Sequence, residues 1–113
     1  MKIILKGKEY KFEFSSVWGP MYTYEELTSE MNGGKGLPFD PHKIVCLHLL
    51  FWCILLNANP DDFTIMPDEF IVLLNDMELA KSMMDYYNKR MAVLSLGQDK
   101  IEEEEEADDK KKD

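Results

Sequence analysis

The sequence predicts an α+β fold: an N-terminal β-hairpin packed on a bundle of about four helices with a central apolar helix. Three stretches predict it. Residues 2–14, KIILKGKEYKFEF, alternate apolar and charged side chains about a glycine, the period of paired strands. Residues 44–56 are the most apolar run, interrupted only by His48. Residues 76–96 repeat apolar side chains at helical spacing and stop at Gly97. With 45% apolar residues in 113, one core is expected, as a single domain over residues 1–97 followed by a disordered acidic tail over 98–113.

In the hairpin, a two-residue turn at Gly7 and Lys8 sets Leu5 opposite Tyr10 and Ile3 opposite Phe12, which gathers four apolar residues on one face. The same register pairs Lys6 with Glu9 and Lys2 with Glu13. A lone hairpin is marginal in water, so its apolar face needs a partner. Gly19 and Pro20 then suit a helix start, and Met21, Tyr24, Leu27 and Met31 recur at near-helical spacing until the glycine-rich stretch that follows. Asp40 followed by Pro41 reads as an N-cap and first helical residue. The helix they open is apolar on every side, as expected for one enclosed by others. Pro67 begins a short helix through Leu74, with Asp68 and Glu69 in its first turn, where they favour the helix dipole.

The apolar run is too short for a membrane span, which needs about 20 residues. The N-terminus lacks the pattern of a secretory signal, which predicts a cytoplasmic protein. The net charge is −9, and residues 102–113 alone hold eight acids against three bases. An acidic body without a lysine or arginine cluster does not fit phosphate backbones or anionic membrane surfaces, so neither nucleic acid nor a membrane is expected as partner.

Cys46, His48 and Cys53 invite a metal reading. On a helix wheel the two cysteines lie within about 20° of each other, while His48 points some 160° to 200° away, so the three do not converge. His42 aligns better with the cysteines, but that makes only three ligands across nearly three turns. No metal or cofactor is expected, and both cysteines read as reduced, buried thiols. Gly33-Gly34-Lys35-Gly36 lacks the Ser or Thr, and the preceding strand, of a phosphate-binding loop. Asp61, Asp62, Asp68 and Glu69 do not follow calcium-loop spacing. No Ser, Cys or His has an evident partner for nucleophilic catalysis, so a non-enzymatic protein is expected.

The last helix carries more apolar surface than one core contact uses. Met77, Ala80, Met83, Met84, Tyr87, Met91 and Leu94 form one stripe, and Leu79, Tyr86 and Val93, seven apart, a second beside it. Together they span about 200°. Such a face is either wedged between two neighbouring helices or a docking surface for another chain, in which adaptable methionines, Met83 and Met84 among them, join Leu79, Tyr86 and Val93.

The phrases LKGKEYKFEF, YEELTSE, LLNANPDDFT and MPDEFIVLLND, in this order between a hairpin and a final helix, resemble the tail assembly chaperones of long-tailed bacteriophages and prophages. The resemblance covers roughly residues 2–96. It implies a small non-enzymatic protein that binds the tape measure protein and assists tail tube assembly in the host cytoplasm. A small regulatory or inhibitory adaptor of a host protein fits the same features, as does an enzyme subunit completed by a partner. The oligomeric state is not legible.

Overall fold

The computed structural model describes residues 1–103, with side-chain environments as far as Leu94. Its order is β1 (Lys2–Leu5), β2 (Lys8–Lys11), α1 (Trp18–Met31), α2 (Ile44–Ala58), α3 (Pro67–Leu73) and α4 (Met77–Glu103), an α+β fold with one two-stranded antiparallel sheet among the described residues. No described helix is long and apolar enough to cross a membrane.

The chain forms two compact units that divide inside α4, between Met83 and Met84, rather than at Gly97. The first unit holds the hairpin, α1 to α3 and the start of α4, Met77 to Met83. The second is described from Met84 to Glu103 and is helical throughout. The expected stop at Gly97 is therefore corrected: an interior glycine costs a helix only about 1 kcal/mol relative to alanine, and the residues around it, such as Leu96, Gln98 and Lys100, are good helix formers. Residues 98–103 of the expected disordered tail are helical, and its remainder, 104–113, lies outside the described residues.

The hairpin buries the expected face, Ile3, Leu5, Tyr10 and Phe12, but in a shifted register. Ile3 pairs with Tyr10 and Leu5 with Lys8, so the turn residues are Lys6 and Gly7. Both have positive φ, 53° and 80°, as a primed turn that follows the strand twist requires. The slip is two residues in the pairing, so each side chain keeps its face. Lys2 then reaches Glu9 diagonally, at 3.3 Å, and Lys6 pairs with Glu69 of α3.

The helix α2 is the centre of the first unit. Cys46, Leu47, Leu49, Leu50, Phe51, Cys53, Ile54 and Leu55 are all buried. Its start is later than expected, because Asp40 does not cap it. The Asp40 carboxylate accepts the His42 N–H at 2.9 Å in a turn ahead of the helix, and extended Lys43 takes the cap position. Ile44 and Val45, in the first turn, are exposed, and His48, Trp52 and Leu56, four apart on one face, are only half-buried, so α2 is not enclosed on every side as expected. Phe12, the residue after β2, meets Phe51 edge-on at 5.4 Å, which answers the hairpin's need for a partner. The helix α1 also packs on α2, and its buried residues are Pro20, Tyr24 and Thr28.

Candidate partner-binding surface

The residues named from the last helix do not share one environment. Met83 is fully buried and belongs to the core of the first unit, which corrects its place among docking residues: a side chain with no accessible surface meets no partner. Leu79, Met84 and Tyr86 are half-buried. Val93 is 54% exposed, the most open of the five. The seven-residue spacing of Leu79, Tyr86 and Val93 thus runs from half-covered to open along α4.

The sequence reading missed a second apolar surface. On α1, Trp18 and Tyr22 stand one turn apart and are 73% and 71% exposed. Of the expected stripe, Tyr24 is buried, Met21 and Leu27 are half-buried, and Met31 is exposed. Pro20, Tyr24 and Thr28 face inward, four apart, while Met31 is exposed. Pro20 sits in the first helical turn, where its missing N–H costs nothing. Thr28 is tolerated inside because its hydroxyl donates back to the Tyr24 carbonyl at 2.9 Å.

Two asparagines that read as helix-stop signals also act as cross-links. Asn57 Nδ2 donates to the Thr23 hydroxyl at 2.9 Å and tethers α2 to α1. Gly19 allows the close approach there, since a Cβ at that position would lie 3.0 Å from Asn57 Oδ1 and the amide would have to shift. Asn59 closes α2, where its backbone N–H donates to the Leu55 carbonyl, and binds Lys11 of β2 with its amide side chain.

The groups with possible chemistry are distributed as follows. Cys46 and Cys53 are buried free thiols. Burial pushes the Cys53 thiol up to about 12, far from a reactive thiolate at neutral pH. His48 is half-buried beside Phe51, and desolvation holds its imidazole below the ordinary histidine range. Among the described residues no three His, Cys, Asp or Glu side chains cluster as a metal ion would require. The glycine stretch ends α1: Gly33, Gly34 and Gly36 have positive φ, and Asn32 Nδ2 donates to the Gly36 carbonyl at 2.8 Å. Asp68 accepts the Glu69 N–H in the first turn of α3. Tyr24 is an exception to the usual satisfaction of buried polar atoms, since its Oη is enclosed without a hydrogen-bond partner. Burial, with the Cys46 thiol beside it, holds that phenol well above its ordinary range.

In comparisons with known proteins, no family model matches the chain, and no curated protein or solved structure shows significant similarity to it.

Proposed function

We propose that this chain is a non-enzymatic tail assembly chaperone of a long-tailed phage or prophage, which binds the tape measure protein in the host cytoplasm during tail tube assembly. The observation that carries this reading is the order of elements. A hairpin, a first helix, a central apolar helix, a short helix opened by Pro67 and a long final helix follow one another as the resemblance implies. The open part of α4 at Val93 supplies apolar surface for a helical partner, as does the Trp18 and Tyr22 pair on α1.

Co-expression with the tape measure protein encoded in the same genome tests it. The expected outcome is a soluble complex that copurifies, and a tape measure protein that aggregates equally with and without this chain overturns the reading. Changing Tyr86→Glu together with Val93→Glu locates the contact. Loss of capture with an unchanged melting temperature assigns it to α4. A folded double variant that still captures moves it to α1 or the hairpin, and one that unfolds assigns Tyr86 and Val93 to the core.

A further inference from the structure

The hairpin has two outer edges, and the fold treats them differently. In an antiparallel pair, residues alternate between bonding the neighbouring strand and turning their N–H and C=O away from it. The Phe12 N–H donates to the Met1 carbonyl at 2.8 Å, and the Met1 amino group donates to the Phe12 carbonyl at 3.4 Å. By alternation through the register, Ile3 with Tyr10 and Leu5 with Lys8 are the other bonded pairs. Lys2 and Ile4 therefore turn their backbone groups outward on β1, as Glu9 and Lys11 do on β2.

On the β2 edge, the Lys11 N–H donates to Asn59 Oδ1 at 3.1 Å, and Asn59 Nδ2 donates to the Lys11 carbonyl at 2.8 Å. One side chain thus stands in for a neighbouring strand. On the β1 edge, no hydrogen bond from a described residue reaches the outward groups of Lys2 or Ile4. Ile4, at the middle of that edge, is 65% exposed although isoleucine is a strong strand former. Native proteins normally cover, bend or charge such an edge.

We propose that the β1 edge is a docking site for an extended acidic segment of a partner protein, which adds to the hairpin as an antiparallel third strand. The proposal stands independently of the tape measure reading. Charge selects the occupant: residues 2–13 hold four lysines against two glutamates, in a chain whose net charge is −9. A second copy paired antiparallel about Ile4 would set Lys2 of each chain beside Lys6 of the other, and that like charge guards the edge against self-pairing. An acidic strand meets no such opposition. The antiparallel geometry sets one residue of the segment opposite Ile4 and the residue two further on opposite Lys2, both on the outer face. An apolar side chain suits the first position and a carboxylate the second. That carboxylate competes with Glu9 for the Lys2 ammonium, an exposed pair that is readily exchanged.

The test uses the full chain and a blocked, fluorescein-labelled peptide in which threonine alternates with valine, valine and glutamate, beside a control with lysine in place of the glutamate. Fluorescence anisotropy is expected to show at least tenfold tighter binding of the glutamate peptide, with amide shifts at Lys2 and Ile4 by NMR. Ile4→Pro removes only an outward N–H, so it should keep the circular dichroism of the parent and lose at least tenfold in affinity. Lys2→Glu should reverse the preference between the peptides. A probe N-methylated at the valine opposite Ile4 should fail to bind, a readout that does not depend on any variant folding. Equal binding of the two peptides, binding of neither, undiminished binding of the N-methylated probe, or undiminished binding by folded Ile4→Pro overturns the proposal. A dimer in sedimentation that Ile4→Pro dissolves also overturns it, by assigning the edge to self-pairing.

Discussion

The helices α1 and α2 lie against each other, yet they meet the core on different terms. In α2, eight of fifteen residues are buried, and all eight are aliphatic, aromatic or thiol side chains. In α1, only Pro20, Tyr24 and Thr28 are buried, while Trp18 and Tyr22 face outward. Apolarity decides burial for α2 because all its faces are apolar and any orientation encloses most of them. For α1, position decides instead. The helix presents to α2 the face that allows close approach at Gly19 and the Thr23 to Asn57 bond, and a threonine goes inside while a tryptophan stays out.

That contrast breaks most sharply at Phe51. It is fully buried and meets Phe12 edge-on, so Phe51→Ala should lose about 3 to 5 kcal/mol of stability through lost transfer energy and the cavity left behind. Urea denaturation checks it, and a loss below about 1 kcal/mol would show that α2 does not organise the core. On α1 the sign should reverse at Tyr24. Its hydroxyl is buried without a partner, so Tyr24→Phe removes a desolvated polar atom and should raise stability by about 1 kcal/mol. A comparable loss would show that the phenol is engaged with the Cys46 thiol. The smallest effect belongs to Trp18, where the change to alanine should stay within about 0.5 kcal/mol despite the size of the side chain. A larger loss by thermal melting would place that indole against the body of the protein.

The same contrast explains what was legible in the sequence. The fold class and the burial of most of α2 could be read, because a run apolar on every side has one outcome. The hairpin's faces could be read too, since alternation fixes them. Its register could not, because Gly7-Lys8 gave agreeable charge pairs while the backbone needed positive φ at both turn positions with glycine second, which Lys6-Gly7 supplies. The α1 face was misread because Thr28 hides its polarity in its own helix, a bond no hydropathy pattern displays. At the candidate docking stripe, spacing placed Leu79, Tyr86 and Val93 in register along α4 but carried no information on how far each is covered. The β1 edge was invisible for a further reason: which backbone groups point outward depends on the register, and the register followed from the turn.

Asn59 gives this molecule an uneven chemical ageing. Its side-chain amide joins the end of α2 to the edge of β2, and conversion to aspartate would remove the donor that holds the Lys11 carbonyl. The usual route to that conversion is attack by the next residue's backbone nitrogen on the side-chain amide, and the next residue is Pro60, which has no N–H to give up. The linking amide is thus shielded by its neighbour. Asn32, followed by unhindered Gly33 in the loop after α1, has no such protection, so slow deamidation on storage should accumulate there, away from the hairpin and its anchorage.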